Sequence, residues 1–354
     1  MKILITGNQG YVGPIVARHL RRVLPHAVLI GYDTSYFALS TTNAAVWPER
    51  VLNEQVTGDV RDLPASLLAG VDAVVQLAAI SNDPMGNSFA EVTDQVNCRS
   101  TVRLAKLARD AGVKRFVFAS SCSVYGFAPG GARRETDELN PQTAYARSKV
   151  ESEAELAKLD LGEMITTSLR FATACGMSDR LRLDLVLNDF VASAVATGKI
   201  TVLSDGSPWR PLIDVRDMAR AIEWAITRDA APGNGPLSVN VGATTANYQV
   251  KDLAAAVARA IPGTTVSINQ SAQPDTRSYQ VDFSLYAKLA PNHLPRIGLD
   301  RSIELLYQGL QEMGFNDPNF RASPFMRLKM LQGHIDAGRL THDLRWLESY
   351  LGRE

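Results

Sequence analysis

The chain has 354 residues, of which 45% are hydrophobic and 21% charged, and its 37 basic residues balance 37 acidic ones to give a net charge of +0. This size and composition are typical of a globular protein with one large domain or two small ones, and the balanced charge disfavours nucleic acid and anionic membranes as partners. No apolar run approaches the ~20 residues needed to span a bilayer, and the run after Met1 is too short for a signal peptide.

Strand and helix patterns alternate through the first half of the chain. Strands are predicted at Lys2–Thr6, Ala27–Tyr32, Val51–Val56, Ala73–Leu77, Arg115–Ala119 and Ile165–Arg170. Helices are predicted at Tyr11–Val23, Asp94–Ala111 and Thr143–Leu159. Such alternation requires right-handed crossovers, so the sequence predicts an α/β fold with a doubly wound parallel sheet covered on both faces.

After about residue 171 this alternation stops. The sequence predicts an irregular stretch at Ala172–Arg182, helices at Leu185–Thr197, Val215–Ile226 and Val250–Ala260, strands at Ile200–Leu203 and Leu237–Val241, and a loop at Gly314–Ala322. Apolar periodicity from Pro324 to Leu351 predicts a helical tail. We therefore expect a first domain at residues 1–171, to which part of the later chain returns, a smaller lobe at 172–315 and a helical C-terminal extension at 316–354.

The turn after the first strand carries three glycines in the spacing Gly-x-x-Gly-x-x-Gly. Glycines at a strand-to-helix turn permit a tight turn, close approach of a pyrophosphate and close helix packing, while the helix N-terminus offers free N–H groups to the phosphates. This arrangement predicts a dinucleotide site. Its residues are Gly7, Gln9, Gly10, Tyr11, Val12 and Gly13.

Asp33 ends the second predicted strand. A carboxylate there can accept hydrogen bonds from both ribose hydroxyls of an adenosine and would repel a 2′-phosphate, which favours NAD over NADP. The alternative is an ordinary turn aspartate. Asp59 and Val60 follow the third strand and are candidates for the edge of the adenine.

Tyr145 and Lys149 are four residues apart on a predicted helix and so share one face. A nearby ammonium and the positive ring of NAD would lower the pKa of the phenol, so that Tyr145 could take a proton from a substrate hydroxyl. Ser121 could hydrogen-bond the same oxygen, although its neighbours Cys122 and Ser123 are also polar. The alternative is a solvated helix face.

The cysteines Cys98, Cys122 and Cys175 are scattered, and the five histidines show no ligand spacing. We therefore expect reduced thiols, a cytoplasmic location and no bound metal.

In these motifs the chain resembles the extended short-chain dehydrogenase/reductases of the nucleotide-sugar epimerase and dehydratase group. The landmarks that match in order are Thr6–Gly13, Asp33, Asp59-Val60, Leu77-Ala78-Ala79, Asn97, Ser120–Gly126, Tyr145–Lys149, Arg170–Gly176 and Arg210–Asp217. The resemblance covers roughly residues 1–315. It implies a Rossmann domain with a smaller C-terminal substrate lobe, bound NAD, a nucleotide-sugar substrate and a homodimer formed through the helix of Tyr145.

The resemblance also assigns individual residues. It implies Ser121, Tyr145 and Lys149 as the catalytic set, and further NAD contacts from Leu77, Ala78, Ala79, Asn97, Tyr145, Lys149 and Phe171. The residues that it implies for the sugar nucleotide are Ser81, Ser121, Ser123, Thr173, Arg210 and Arg277. Arg210 would grip the diphosphate, although either arginine could instead be a surface ion-pair residue.

The departures from the group narrow the expected chemistry. Its 4,6-dehydratases carry an Asp-Glu pair just after the catalytic serine or threonine, where this chain has Cys122 and Ser123. Cys122 is interpreted as a packing residue. The leading hypothesis is therefore an NAD-dependent nucleotide-sugar epimerase acting at C4 through a transient 4-keto intermediate. The alternatives are a nucleotide-sugar dehydrogenase, 4-ketoreductase or dehydratase of the same family, and a non-catalytic NAD-binding sensor or scaffold.

Overall fold

The computed structural model describes residues 1–42, 45–230, 235–272 and 277–347 of the chain. Its strands in chain order are β1 (Lys2–Thr6), β2 (Val28–Asp33), β3 (Glu54–Thr57), β4 (Ala73–Gln76), β5 (Arg115–Ser121), β6 (Phe127–Arg133), β7 (Ile165–Phe171), β8 (Thr173–Cys175), β9 (Lys199–Val202), β10 (Trp209–Asp214), β11 (Leu237–Val241), β12 (Asn247–Gln249), β13 (Thr265–Ile268) and β14 (Ser278–Val281). The strands predicted for the first half are confirmed as β1–β5 and β7, with β3 starting later than predicted.

The helices are α1 (Gly13–Val23), α2 (Asp83–Ser88), α3 (Ala90–Asp94), α4 (Ser100–Asp110), α5 (Ala144–Lys158), α6 (Val186–Thr197), α7 (Val215–Thr227), α8 (Val250–Ala260), α9 (Ser284–Leu289), α10 (Leu299–Glu312) and α11 (Arg327–Asp336). A π-helical turn joins α3 to α4, so the helix predicted at Asp94–Ala111 is present in segments. The other helices predicted before the C-terminal extension are confirmed as α1 and α5–α8. None of the helices described is long and apolar enough to cross a membrane.

Seven of the described strands form one parallel sheet in the order β11-β7-β5-β4-β1-β2-β3. Strand β1 lies between β2 and β4, with Ile5 opposite Gly31 on one side and Val75 on the other. Ile3, Leu4 and Ile5 are consecutive and fully buried, as in a sheet whose two faces are both covered. This is the doubly wound Rossmann order, in which a crevice opens where the chain direction reverses between β1 and β4.

The second half supplies strands to both regions. β11 completes the main sheet by pairing with β7, while β8, β10 and β12 form a separate three-stranded sheet. The stretch predicted to be irregular, Ala172–Arg182, contains the short strand β8, which pairs with β10. The strand predicted at Ile200–Leu203 is confirmed as β9, whereas the pairing of β6 with β14 has no counterpart in the prediction. The loop predicted at Gly314–Ala322 is confirmed, with one short turn at its end.

The C-terminal extension departs from its predicted form. The prediction of continuous helix to Leu351 is wrong, because α11 ends at Asp336 and Gly338 follows with a left-handed φ of 63°, a common way for a helix to stop. The chain then turns back, and Leu340 pairs with Trp346 in an antiparallel bridge. The rest of the predicted helix, residues 348–354, lies outside the described residues.

The apolar residues of the extension nevertheless reach a common surface. Leu331, Leu340 and Leu344 are buried in a cluster with residues of the first domain, namely Val60, Ile80, Met85, Val92 and Val96. The sequence pattern predicted that these three leucines lie on one face of a helix. The turn after α11 brings them to one surface by a different route. That surface belongs to the first domain, beside the ends of β2 and β4.

Candidate functional site

A cleft of about 980 Å³ opens at the carboxyl ends of the central strands. Most of the predicted site residues line it: Gly7, Gly10, Tyr11, Val12, Asp33, Asp59, Val60, Leu77, Ala78, Ala79, Ser81, Ser121, Ser123, Tyr145, Lys149, Phe171, Thr173, Arg210 and Arg277. The described lining does not include Gln9, Gly13 or Asn97. The predicted cofactor and substrate residues are therefore gathered in one place, with three of them behind its surface.

The glycine turn between β1 and α1 is packed too tightly for side chains. Gly7 has a left-handed φ of 70°, and a Cβ there would lie 2.5 Å from the backbone nitrogen of Ala78. A Cβ on Gly13 would lie 2.1 Å from the carbonyl oxygen of Asn8, so this glycine serves close packing of the helix on its own loop. Gly7 and Gly10 line the cleft beside the N-terminus of α1, and a backbone without side chains at these two positions fits close approach of a pyrophosphate.

Asp33 is fixed at the end of β2 by two backbone donors. The N–H of Gln9 donates to one carboxylate oxygen at 2.9 Å and the N–H of Ser35 to the other at 2.8 Å. Burial raises the pKa of Asp33, and these hydrogen bonds counteract the rise. Gln9 thus acts from behind the lining, holding the carboxylate in a position that fits the ribose of an adenosine.

The candidate adenine residue Asp59 has a strong partner that the sequence did not reveal. Its carboxylate accepts hydrogen bonds from the backbone N–H and the guanidinium of Arg61, with the Nη2 atom at 2.5 Å. The same guanidinium donates to the carbonyl oxygen of Leu344 at 3.1 Å. Asp59 is therefore tied to the C-terminal extension, while its neighbour Val60 lines the cleft.

Asn97 lies behind the loop that follows β4. Its amide accepts from the N–H of Ile80 at 2.8 Å and donates to the carbonyl oxygen of Ile80 and to the hydroxyl of Ser148. Asn97 is fully buried. The geometry gives it a positioning role, because it joins the Leu77–Ser81 loop to α5 without lining the cleft.

Tyr145 and Lys149 are presented by the first two turns of α5. Thr143 caps this helix by accepting the N–H of Ala146, and the helical spacing places both side chains on the cleft side. The Lys149 amine donates to the carbonyl oxygen of Ala119 at 2.7 Å and lies 5.6 Å from the centre of the Tyr145 ring. Lys149 is only 2% exposed.

Burial dominates the protonation of this pair. It raises the pKa of Tyr145 to about 12, against the lowering effect of a hydrogen bond with Ser121. It lowers the pKa of Lys149 to about 7, because the ammonium loses its hydration. This differs from the expectation that the ammonium would lower the pKa of the phenol, because loss of hydration has the largest effect on Tyr145.

At the end of β5, Ser121 and Ser123 face the cleft, whereas Cys122 between them does not. Ser121 and Ser123 line the cleft, and the Ser121 hydroxyl accepts the N–H of Ser123 at 3.1 Å. The Ser123 hydroxyl is buried and has no hydrogen-bond partner among the described residues. Cys122 is fully buried and donates to the carbonyl oxygen of Arg170, and burial raises its pKa well above the ordinary thiol value. Its interpretation as a packing residue is confirmed.

The predicted substrate arginines meet at the rim of the cleft. Arg210 donates to the carbonyl oxygens of Trp209 and Arg277. The guanidinium of Arg277 pairs with Asp83 at 3.1 Å, and Thr173 lies on the lining nearby. Arg277 therefore bridges the second lobe and the first residue of α2, and the four residues before it, 273–276, lie outside the described chain.

Sequence reasoning missed two buried arginines of the cleft wall, Arg182 and Arg327. Arg182 pairs with Asp184 at 2.5 Å and donates to the Ser81 hydroxyl. Each of these arginines stands between two apolar residues, in Leu181-Arg182-Leu183 and Met326-Arg327-Leu328. A charge within an apolar run is a signal for a buried cation, but it does not say which cavity the cation lines.

Away from the cleft, ligand atoms of Asp94, Cys98 and Glu151 lie within 4.8 Å of one another. Burial raises the pKa of the Cys98 thiol, and Arg99 pairs with Asp94 at 2.6 Å. A metal needs the thiolate and an uncompensated carboxylate, so these partners oppose metal binding at this group.

Comparison with known proteins places these residues in a family. The sequence model of the NAD dependent epimerase/dehydratase family matches residues 3–242. An uncharacterised UDP-glucose epimerase of Bacillus subtilis is 30% identical over 255 residues, which are 68% of this chain and 77% of that protein. A UDP-glucose 4-epimerase of Mycolicibacterium smegmatis is 26% identical over 271 residues, which are 74% of this chain and 83% of the relative.

Solved structures share the fold. A UDP-glucose 4-epimerase of Stenotrophomonas maltophila, solved with NAD and formylated UDP-arabinopyranose, matches with a TM-score of 0.76 and 22% identity, covering 89% of this chain and 99% of that one. An NAD-dependent NDP-hexosamine 5,6-dehydratase of tunicamycin biosynthesis matches with a TM-score of 0.74 and 24% identity, covering 90% of this chain and 99% of the other.

Proposed function

This chain belongs to the NAD-dependent epimerase/dehydratase family, its cofactor is NAD, and we propose that it is a nucleotide-sugar epimerase that inverts C4 through a transient 4-keto sugar. One observation carries the proposal: Ser121, Tyr145 and Lys149 meet in the cleft, while the positions after Ser121 hold a buried thiol and a hydroxyl. Elimination of water needs an acid and a base there, which Cys122 and Ser123 do not provide.

Proton transfer is assigned to Tyr145. Its phenolate takes the proton of the C4 hydroxyl and returns it after the keto sugar has turned over, and the Ser121 hydroxyl holds the same oxygen in place. When bound, NAD supplies the hydride acceptor and a positive ring charge beside the phenol. Because burial raises the pKa of Tyr145 to about 12, this charge and a protonated Lys149 are needed to favour the phenolate.

Cofactor binding is assigned to the glycine turn and Asp33, with the nicotinamide toward Tyr145. The sugar nucleotide then lies against the second lobe. We assign its diphosphate to Arg210 and Arg277, and its sugar to polar groups of the lining: Ser81, Ser121, Ser123 and Thr173. The buried, unpartnered hydroxyl of Ser123 supports this, because a sugar hydroxyl would satisfy it.

The test is incubation of the purified enzyme with a panel of UDP-, dTDP- and GDP-sugars in D₂O, without added cofactor. Internal return of the hydride predicts a C4 epimer that carries no solvent deuterium on carbon. Epimerisation at C3 or C5 through an enol would introduce deuterium there. The Tyr145→Phe variant is the matched control and is expected to form little epimer while keeping its NAD.

Net accumulation of reduced cofactor from one sugar, without any epimer, would overturn the epimerase in favour of a dehydrogenase. Unchanged turnover by Tyr145→Phe would remove the assigned acid–base role. Absence of turnover across the panel, with NAD bound, would favour the sensor or scaffold.

We also propose a homodimer that packs through α4 and α5, by analogy with the family. Half-exposed Val150 and exposed Ala154 give the outer face of α5 a small apolar area. Light scattering after gel filtration should give about twice the mass of 38.5 kDa. A Val150→Glu variant should shift that mass toward the monomer, and an unshifted mass would place the interface elsewhere.

A further inference from the structure

Arg327, the first residue of α11, is a buried cation that has no ion-pair partner in the described part of the chain. It is 2% exposed, and no carboxylate of the described chain forms a salt bridge with it. Its Nη2 atom donates to the carbonyl oxygen of Arg180 at 2.7 Å, and its guanidinium lies 4.3 Å from the centre of the Phe37 ring. Its Nη1 atom is buried and has no hydrogen-bond partner among the described residues.

The two arginines near Arg327 each have a carboxylate partner. Arg180 pairs with Glu49 at 2.6 Å and Arg182 with Asp184 at 2.5 Å, whereas Arg327 has no such partner among the described residues. Burial and the nearby Arg182 lower the pKa of Arg327 to about 9. Burying an unpaired guanidinium costs free energy, and an anion bound beside Arg327 would offset that cost.

Arg182 supplies a second unsatisfied donor to the same cleft. After its bonds to Asp184 and Ser81, its Nη2 atom is buried with no partner in the described structure. Both arginines line the cleft wall, and a guanidinium is opposite in charge to a phosphate. Two planar guanidinium groups with free N–H donors match the geometry of phosphate oxygens.

The position of Arg182 and Arg327 along the cleft indicates which anion they would bind. Arg182 donates to the hydroxyl of Ser81 at 2.9 Å, on the loop after β4. Arg327 lies over the ring of Phe37, four residues after Asp33, on the side of the proposed adenosine ribose. In NAD, the pyrophosphate is the group that lies between the adenosine ribose and the nicotinamide riboside.

We propose that Arg327, together with Arg182, binds the pyrophosphate of NAD, so that the C-terminal extension forms part of the cofactor site. The N-terminus of α1 then binds the pyrophosphate from one side and the two guanidinium groups bind it from another. Because Arg327 lies on the extension, release of NAD requires this contact to break. The cofactor is thereby retained between turnovers, as an enzyme that returns its own hydride requires.

The experiment compares Arg327→Met with wild type in a ligand series on protein freed of NAD. Affinities for adenosine, ADP, ADP-ribose and NAD are measured by calorimetry. Charge-assisted hydrogen bonds predict a loss of about 10- to 100-fold for the three ligands with a diphosphate, and a change within about twofold for adenosine. Arg339→Met is the control, because this arginine of the extension bonds to His334 and Gly333 outside the cleft lining.

A second readout is thermal stability. Without NAD, Arg327→Met should melt at or above the wild-type temperature, because it removes an unpaired buried charge, while its rise in melting temperature on adding NAD should be smaller. If Arg327→Met does not fold, Arg327→Lys gives the same ligand comparison, with a smaller loss because charge remains without the planar fork.

An equal loss for adenosine and ADP would overturn the proposal, since Arg327 would then act only through the fold. Unchanged ADP and NAD affinity would also overturn it. If UDP binding to the NAD-loaded protein weakens instead, the guanidinium serves the diphosphate of the sugar nucleotide. None of these readouts depends on catalysis, so they stand even if the proposed epimerase activity fails.

Discussion

At one end of the cleft, the proposed catalytic residues Ser121, Tyr145 and Lys149 come from β5 and α5, which pack together in the fold and have only one strand, β6, between them in the chain. At the other end, the segment Thr34–Phe37 after β2 is covered by the C-terminal extension, nearly three hundred residues later. The proposed catalytic end is thus built from elements close in the chain, and the proposed adenosine end is completed by a segment that lies beyond residues 3–242, the part matched by the family model. The chemistry and the retention of the cofactor can therefore be altered separately.

Removing the phenol of Tyr145 should give the largest effect and should be confined to the catalytic end. Tyr145→Phe is expected to lower kcat by about 10²- to 10⁴-fold, the usual contribution of a general acid–base group. Its NAD content and its rate of NAD release should match wild type. Tyr307→Phe is the control, since that phenol bonds to Gln311 on α10 and does not line the cleft. A parallel loss of NAD would mean that the two ends are coupled.

A cavity made under the C-terminal extension should accelerate NAD release and leave the chemical step unchanged, which is the reverse of the effect expected for Tyr145→Phe. Leu331 is fully buried between α11 and the first domain, so Leu331→Ala is expected to cost about 2–5 kcal/mol of local docking free energy. NAD should then dissociate faster, while the chemical step at saturating NAD is unchanged. Hydrogen exchange should increase at residues 34–37 and 327–347.

The control for this cavity is Leu104→Ala, which leaves a comparable hole beneath α4, in a different core cluster. It should lower the global free energy of unfolding without accelerating NAD release. Equal acceleration by both variants would show that the extension has no special relation to the cofactor.

The sequence predicted the catalytic end far better than the adenosine end. The spacing of Tyr145 and Lys149, and the alternation of β1–β5 with helices, depend on local periodicity that the fold preserves. The leucines after Pro324 also predicted a buried face, but Gly338 ends the helix and the left-handed Leu344 turns the chain back. Such a turn depends on contacts with Tyr36 and Arg61, which are far away in sequence. No local pattern predicts that Arg61, the ion-pair partner of Asp59, also bonds to Leu344, or that Arg327 lines the cleft.

The buried amine of Lys149 should give the catalytic end a characteristic pH dependence. Its pKa is about 7 in the folded protein and about 10.4 when unfolded, so the unfolded chain binds more protons between these values. The free energy of unfolding of the NAD-free protein should therefore rise with pH above about 7, by up to about 1.4 kcal/mol per pH unit from this group.

Urea denaturation at pH 6, 7.5 and 9 measures this slope. Lys149→Met should lose the rise between pH 7 and 9, and Arg327→Met should keep it, because burial lowers the pKa of Arg327 only to about 9. An unchanged slope in Lys149→Met would mean that other groups at the catalytic end set the pH dependence.

The smallest predicted effect concerns a single hydrogen bond at the adenosine end. The indole N–H of Trp346 donates to the carbonyl oxygen of Thr34 at 2.6 Å, and its ring lies 6.0 Å from that of Tyr36. Trp346→Phe keeps an aromatic ring and removes this donor, which is worth about 0.5–1.5 kcal/mol. If docking of the extension limits NAD release, the release rate should rise by about two- to tenfold with kcat unchanged. If Trp346→Phe releases NAD at the wild-type rate while Leu331→Ala releases it faster, then α11 restrains NAD release and the turn after α11 does not.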